Sequence, residues 1–273
     1  MSVRTEIAYR ARIAARTLRI GAGVSIALLM LLPVAIVVVL SFSADPYLVF
    51  PPAEWGLRQY EAFLGSDEWL SAVGVSVTVA LLSTVLSTVI GTLAAYAIAR
   101  TDLPLKSALT SLGVAPLVLP GVAYAMALYV LYLRLDVVGS FTGVVLAYTA
   151  LTLPFPMLIV TGALTRLPAD LEVVSMSLGA SRIRAMVGIT LRLLAPAIGA
   201  SMVFGFIYSF DEATLINFLG SGQIITLPKA IFDSVLTGID PLIMAIAVIL
   251  MCLTGLVMTV GVRLRQLDQG NTP

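Results

Sequence analysis

The sequence predicts an all-α polytopic membrane protein with six transmembrane helices, and three observations carry this prediction. Hydrophobic residues make up 59% of the 273 residues, and charged residues make up only 11%. The mean hydropathy is +1.04. Because soluble chains carry about 25% charged residues, this composition cannot cover a surface that faces water. Finally, long apolar runs recur along the chain, and each approaches the roughly 20 residues that a helix needs to cross a bilayer.

The six apolar runs cover residues 20–42, 73–99, 108–133, 140–164, 194–219 and 242–262. The first could be a signal peptide, but it is longer than the 7–15 apolar residues typical of one, so we expect it to be retained. These runs predict one transmembrane domain over residues 20–262, with an N-terminal tail (1–19), a C-terminal tail (263–273) and a large loop at residues 165–193. Two proline pairs, Pro116 with Pro120 and Pro154 with Pro156, predict kinked helices. Two interpretations stay open: the kinked helices line a translocation pathway, or the prolines only reflect the high frequency of proline in membrane helices.

The basic residues predict the orientation of the six runs. Placing the N-terminus in the cytoplasm puts most of the 16 Lys and Arg residues inside, and only Arg58, Arg134 and Lys229 outside. The inside set is Arg4, Arg10, Arg12, Arg16, Arg19, Arg100, Lys106, Arg166, Arg182, Arg184, Arg192, Arg263 and Arg265. Because cytoplasmic loops carry an excess of Lys and Arg, both termini are predicted to lie in the cytoplasm.

Several functions are excluded by what the sequence lacks. A formal net charge of +1 provides no basic excess for binding nucleic acid. The chain has no histidine and a single cysteine, Cys252, so a zinc site of the usual His/Cys kind and an internal disulfide are both excluded. The phosphate-binding pattern G-x-x-x-x-G-K-[ST] does not occur. If the protein works on ATP, the nucleotide therefore binds another chain.

The loop at residues 165–193, which we call the docking loop, has the pattern of two short helices around a glycine. Leu171, Val174 and Leu178 recur at helical spacing and form one apolar stripe. Gly179 follows at the position where a left-handed residue ends a helix, and Ser181 suits the N-cap of the next one. An apolar stripe that faces water is expected to bind a partner. The residues alone do not decide between two partners, the lipid surface and a groove of another protein.

The docking loop resembles the "EAA" loop of permeases from binding-protein-dependent ABC importers. The similar segment, residues 171–181, reads LEVVSMSLGAS; it differs at the motif's glutamate, which is Val173 here, with Glu172 one residue earlier. Further similarity to the spermidine/putrescine-type subfamily lies at residues 50–60, 209–212, 226–228 and 238–241. The resemblance implies a type I ABC importer permease fold whose cytoplasmic coupling helix contacts an ATPase. The implied coupling residues are Leu171, Glu172, Val174, Leu178, Gly179, Ala180 and Ser181.

The resemblance also implies a function and a set of partners. A permease of this kind lies in the bacterial inner membrane and pairs with a second homologous permease. Two cytoplasmic ATPase subunits bind ATP and Mg²⁺, and an extracytoplasmic binding protein delivers the solute. The chain itself is then neither an enzyme nor a holder of a cofactor or metal. The implied solute is a polyamine; the alternatives are an anion such as phosphonate or sulfate, an amino-acid-like compound or, from another class of protein, a channel.

Two adjacent acids, Asp211 and Glu212, interrupt the fifth apolar run. A charge at the centre of a membrane helix costs roughly 2.5–3.5 kcal/mol, so it must face a cavity or a partner. With Tyr208, one helical turn earlier, these acids are candidates for a cation pathway, and Leu215 would continue that face. Two alternatives remain: Ser209 and Glu212 form a capping box that starts a second half-helix, or the acids pair with an arginine of a neighbouring subunit.

Overall fold

The computed structural model describes the backbone of residues 3–102, 104–238 and 240–270, and the side chains of residues 16, 18–102, 104–238, 240–255 and 259. Within these residues the regular structure is helical, and one isolated β-bridge joins Ser43 to Trp55. The prediction of an all-α fold is therefore confirmed. In order, the helices are α1 (Val3–Ser41), α2 (Arg58–Leu64), α3 (Asp67–Arg100), α4 (Lys106–Val118), α5 (Gly121–Leu135), α6 (Phe141–Thr152), α7 (Pro154–Leu164), α8 (Asp170–Ser177), α9 (Arg182–Ala185), a π-helical segment (Met186–Thr190), α10 (Leu191–Asp211), α11 (Thr214–Leu219), α12 (Leu227–Thr237) and α13 (Leu242–Gly270).

Four helical stretches of the described chain are long and apolar enough to cross a membrane: Leu18–Ser41, Asp67–Arg100, Phe141–Leu164 and Arg182–Asp211. The pair α4 and α5 adds a fifth if it counts as one span, and Leu242–Gly255 is a shorter apolar helix. The count of six spans therefore stays a prediction. Several residues named in the sequence analysis have side chains that the structure does not describe: Arg4, Arg10, Arg12, Ile239, Arg263 and Arg265. Residues 271–273 of the predicted C-terminal tail also lie outside the described residues.

The third predicted span, residues 108–133, is not one continuous helix. It is broken between α4 and α5, which meet at an angle of 112°. Leu119, at the break, is extended with φ −74° and ψ 139°. The physical reason is Pro120: it disfavours a helical conformation in the residue before it and offers no N–H to continue the ladder. The predicted kink is confirmed, and it is sharp enough to divide the apolar run into two helices.

The described chain forms two compact units, and the first combines residues up to Asp67 with those from Ser234 onward. Here α1 and α2 both pack against α13. The Tyr60 hydroxyl, on α2, donates a hydrogen bond of 2.8 Å to Ser41 Oγ at the end of α1. The long connection that the sequence predicts after the first span is thus a folded segment rather than an open loop.

Asp45 organises the start of this connection. Its Oδ2 accepts hydrogen bonds of 2.9 Å from Ser43 Oγ and from the backbone N–H of Ala53. Burial alone would raise the pKa of the Asp45 carboxyl, but the bonds from Ser43, Ala53 and Glu54 together lower it below its ordinary value. Asp45 is therefore a structural acid that closes a turn.

The second unit, Glu68–Asp233, contains both candidate sites and has two buried clusters. The larger draws on α3, α5, α6 and α11, with members such as Val79, Tyr148 and Ile216. The smaller cluster joins α3, α7 and α10 through Ala95, Tyr96, Val160, Leu164 and Leu194. Between the clusters, α3 passes very close to α7: a Cβ on Gly91 would lie 2.5 Å from Cγ of Pro156. Only glycine permits this approach.

Candidate functional site

The docking loop folds as two short helices around a glycine, as the sequence predicts. Helix α8 ends at Ser177, and Gly179 follows in a left-handed conformation with φ +94°. Ser181 Oγ then accepts a hydrogen bond of 3.3 Å from the N–H of Arg184 and caps α9. The local structure of this segment is therefore confirmed by its backbone.

The apolar stripe of α8 lies on the surface of the chain. Leu171 is 40% exposed, Val174 is 58% exposed and Leu178 is 85% exposed. Gly179 is also exposed, and Ala180 is partly so. These residues form a connected apolar face that nothing covers within the part of the chain that the structure describes.

Glu172 lies on the opposite side of α8 and points into the chain. It is the one buried residue of this helix, with 7% of its surface exposed. Its Oε2 accepts a 2.7 Å hydrogen bond from the hydroxyl of Tyr96 on α3, and its Oε1 accepts a short one from Thr190 Oγ1. The structure therefore separates Glu172 in position from the exposed coupling residues, because hydroxyl donors inside the chain hold its carboxylate, and its part in coupling stays a prediction.

Arg100 completes this cluster at the end of α3. Its Nε lies 3.9 Å from Oε1 of Glu172, and its guanidinium donates a 2.9 Å hydrogen bond to the carbonyl of Leu167. Thr190 is the last residue of the π-helical segment and directly precedes α10. We call Tyr96, Arg100, Glu172 and Thr190 the carboxylate anchor. It joins the docking loop to the end of α3 and the beginning of α10.

At the far end of α10, the fifth predicted span (residues 194–219) is also broken. The helix ends at Asp211, Glu212 is extended with φ −78° and ψ 114°, and α11 starts at Thr214. The Glu212 carboxylate accepts hydrogen bonds from the N–H of Thr214 and of Leu215 (3.0 Å to the latter). The Tyr148 hydroxyl donates a 2.8 Å bond to the Glu212 carbonyl. Glu212 thus ends one half-helix and caps the next.

This geometry corrects two expectations about the acidic pair. The capping box does not form, because Ser209 Oγ shares a 2.9 Å hydrogen bond with Ser83 Oγ while Glu212 caps the N–H groups that follow it. The face from Tyr208 through Asp211 does not continue to Leu215, because the break places Leu215 on α11 with 1% exposure. One part of the capping-box expectation does hold: after the break, the carboxylate of Glu212 caps the start of a second half-helix, α11.

Asp211 differs from Glu212 in its surroundings. Its side chain is exposed, and among the described residues no hydrogen bond or ion pair engages its carboxylate. It is the last residue of the 21-residue helix α10, where the backbone carbonyls carry a partial negative charge. Tyr208, one turn earlier, packs its ring 5.1 Å from that of Phe155. The carboxylate of Asp211, the carbonyl end of α10 and the ring pair of Tyr208 and Phe155 therefore lie close together in an otherwise apolar span.

Sequence reasoning missed the partners that hold both sites: Tyr96, Arg100, Thr190 and Tyr148. Tyr96 and Arg100 are four residues apart near the end of a predicted span, so a shared face could have been inferred. Their partner Glu172 is 76 residues beyond Tyr96, and such a pairing cannot be read from local spacing.

Comparison with known proteins places the chain in a family. The family described as "Binding-protein-dependent transport system inner membrane component" matches residues 87–266, which include the docking loop and the break after α10. The chain belongs to this family. It is thus an inner-membrane permease subunit of a binding-protein-dependent ABC importer, and this membership decides against a channel.

Similar permeases from other bacteria are named for different solutes. The permease is 28% identical to the putrescine transport system permease protein PotI of Escherichia coli K12, over 82% of each chain. It is also 28% identical to the spermidine/putrescine permease PotC of that strain, over 94% of this chain and 97% of the relative. The sulfoquinovosyl glycerol permease SmoH of Agrobacterium fabrum is 33% identical over 69% of this chain and 66% of its own.

A solved structure supports the fold. A chain of a bacterial ABC transporter involved in the import of the acidic polysaccharide alginate superposes with a TM-score of 0.69. The match covers 93% of the permease and 96% of that chain at 15% sequence identity. At this level of identity the similarity establishes the ABC importer permease fold, which the sequence predicts, and says nothing about the solute.

Proposed function

We propose that the permease imports a polyamine such as putrescine or spermidine, with Asp211 as the acid that attracts the cation. The observation that carries this proposal is an exposed carboxylate without a partner among the described residues, at the carbonyl end of a broken helix. A carboxylate is unfavourable beside the negative end of a helix, by roughly 0.3–1 kcal/mol. A cation bound there reverses that penalty, because it is attracted by both the carboxylate and the carbonyls.

Tyr208 and Glu212 have different parts in this proposal. The ring of Tyr208 lies on the same helical face as Asp211 and offers a cation–π contact to an ammonium group. The carboxylate of Glu212 caps α11. Its contribution is therefore to stabilise the break between α10 and α11, which keeps Asp211 at the end of a helix. The named solutes of PotI and PotC support a polyamine as the cation.

The rest of the machinery follows the same proposal. A second, homologous permease encloses the pathway with this one, and an extracytoplasmic binding protein delivers the solute. Two ATPase subunits hold ATP and Mg²⁺, so that this chain catalyses nothing itself and binds no cofactor. The exposed stripe of α8, with Gly179, Ala180 and Ser181, docks on an ATPase, since its apolar side chains have no cover within the described chain.

Replacing Asp211 tests the proposed solute site. At an effective dielectric of about 20, a unit charge at about 4 Å contributes on the order of 4 kcal/mol, and a quarter of this remaining after hydration corresponds to about fivefold in occupancy. We therefore expect Asp211→Asn to lower spermidine uptake about fivefold, and more at low salt, where attraction is unscreened. Uptake by cells or vesicles at two salt concentrations measures both effects.

Glu212→Gln is the matched control, because it removes one charge from the adjacent residue but keeps an oxygen that caps α11. We expect its uptake to stay within about twofold of wild type. Wild-type spermidine uptake by an assembled Asp211→Asn permease at low salt would rule out the proposed site.

The proposed orientation has both termini and the docking loop in the cytoplasm. A reporter that is active only outside the cytoplasm is expected to be active when fused after Asp45, Asp136 or Gln223. The same reporter is expected to be silent after Asp102, Arg182 or Asp268. Activity after Arg182 would contradict the orientation, because the docking loop could not then reach an ATPase.

A second candidate solute is a sugar derivative, favoured by the 33% identity to the sulfoquinovosyl glycerol permease SmoH. Sulfoquinovosyl glycerol carries a negatively charged sulfonate, which a carboxylate repels. This candidate therefore predicts that Asp211→Asn does not lower the uptake of that solute, and that any change is a rise that is largest at low salt.

A further inference from the structure

The attachment of α8 to the rest of its unit is unusual, because the helix has no buried apolar residue. Among the eight residues of α8, Glu172 alone is buried. Its neighbours Leu171, Val173 and Val174 are 40–58% exposed. A surface helix normally buries an apolar stripe against the core. Here the apolar residues face outward, and a carboxylate makes the inward contact.

The inward contact reaches two membrane helices at once. Glu172 accepts one hydrogen bond from Tyr96 of α3 and another from Thr190, the residue that precedes α10. Tyr96 and Thr190 are 7% and 3% exposed, and Tyr96 belongs to the apolar cluster of α3, α7 and α10. In such surroundings hydrogen bonds to a charged acceptor are stronger than in water and hold their geometry.

The π-helical segment adds a second feature at the same place. Residues Met186–Thr190 form one wide turn between α9 and α10, and Thr190 is its last residue. Such turns are rare and often occur at functional positions, where they alter the register of a helix. The anchor therefore holds α10 at the point where its backbone departs from α-helical geometry.

We infer that Glu172 is a positioning residue of the import cycle, through which a displacement of α8 moves the ends of α3 and α10 together. This inference rests on the proposed docking of the loop on an ATPase. Helix α10 has 21 residues, so its other end at Asp211 lies about 30 Å from the anchor. A rigid helix held at Thr190 carries a movement of the docking loop to the break at Glu212. If the anchor is lost, α8 still docks, but its movement no longer reaches α10.

A labelling experiment tests this without depending on the identity of the solute. Cys252 is the single cysteine, so Cys252→Ser followed by Asp211→Cys places one thiol at the far end of α10. The full complex with its ATPase is treated with N-ethylmaleimide, with and without Mg²⁺ and a non-hydrolysable ATP analogue. With an intact anchor, we expect the nucleotide to change the labelling rate about tenfold.

Glu172→Leu removes the acceptor but keeps a side chain that tolerates burial. We expect it to reduce the nucleotide effect to less than twofold while the ATPase still co-purifies. Glu172→Gln keeps an acceptor for Tyr96 and is expected to retain more than half of the effect. Tyr132→Phe is the matched control, because it also removes a buried tyrosine hydroxyl, one bonded to the Gly143 carbonyl at 3.0 Å, and should leave the effect unchanged.

A full nucleotide effect in Glu172→Leu would overturn the inference, as would a labelling rate that nucleotide leaves unchanged when Glu172 is intact. If Glu172→Leu does not assemble, Thr190→Val decides, because it removes the hydroxyl that joins Glu172 to the start of α10 and leaves the carboxylate paired with Tyr96. We expect it to lower the effect at least threefold, and a full effect would again overturn the inference. A failure of the docking proposal gives a different result. In that case, the nucleotide still changes the labelling rate in a Gly179→Trp variant, although the substitution distorts the docking surface.

Discussion

Gly179→Trp is expected to reduce ATP-driven uptake at least about a hundredfold while leaving the permease in the membrane. Gly179 has a φ of +94°, and only glycine adopts such conformations without strain. A side chain there strains the turn by roughly 1–3 kcal/mol. An indole also stands in the docking surface beside Leu178, which is 85% exposed. Both effects remove the fit to an ATPase without disturbing the buried clusters.

Two variants separate the causes of this loss. Gly179→Asn introduces a residue that tolerates left-handed backbone better than other side chains do, so partial uptake is expected. Gly162→Ala is the control, because Gly162 lies on α7 with open space around its Cβ position and should leave uptake within about twofold. Co-purification with the ATPase measures docking, and solute uptake by whole cells measures transport. Normal uptake by Gly179→Trp would contradict the role assigned to the docking loop.

Glu212→Ala is expected to destabilise the permease by about 2 kcal/mol. The change removes the acceptor for two N–H groups at the start of α11, and an unsatisfied buried donor costs roughly 1–3 kcal/mol. Helix α11 also supplies Leu215, Ile216 and Leu219 to the larger buried cluster, so loosening its first turn affects that cluster. The measurement is the midpoint of thermal unfolding in detergent, with an expected fall of about 5 °C.

Glu212→Gln serves as its comparison, because the amide oxygen still accepts both N–H groups. Its midpoint should stay within about 1 °C of wild type. Equal midpoints for the Ala and Gln variants would show that the carboxylate does not cap α11. The paired result also separates the structural part of Glu212 from the electrostatic part that we assign to Asp211.

The spatial arrangement of the two sites suggests how the permease works. Helix α10 starts at the carboxylate anchor and ends at Asp211, so one continuous element connects the proposed ATPase contact with the proposed solute site. Side chains from other helices hold both ends: Glu172 of α8 accepts a hydrogen bond from Thr190 at one end, and Tyr148 of α6 donates one to the Glu212 carbonyl at the other. A displacement of the docking loop can therefore alter the exposure of Asp211 without unfolding any helix.

Local chemistry made much of this fold predictable from sequence. Apolar runs of sufficient length predict membrane helices, and Gly179 followed by Ser181 predicts the break and restart in the docking loop, because each signal lies within a few residues. The kink at Pro120 was also predictable. Its size, 112°, was not, since it depends on how α4 and α5 pack against other helices.

The contacts that define the sites were not predictable in the same way. Glu172 is grouped with the docking residues because the resemblance to the EAA loop includes it, whereas its partners Tyr96 and Thr190 are distant in sequence. Ser209 and Glu212 have the spacing of a capping box, but Ser83, 126 positions before Ser209, takes the hydroxyl. Tertiary partners thus decide which of several local hydrogen-bonding patterns a polar residue adopts in these apolar helices.

The most direct test of a polyamine permease is competition for uptake. Cells that depend on this permease for import are given labelled spermidine at a low concentration, with an excess of unlabelled putrescine or of sulfoquinovosyl glycerol. We predict saturable, ATP-dependent uptake that putrescine suppresses and sulfoquinovosyl glycerol does not, and that is about fivefold weaker with Asp211→Asn. ATP-dependent uptake of labelled sulfoquinovosyl glycerol, with no uptake of spermidine and no loss of uptake with Asp211→Asn, would contradict it.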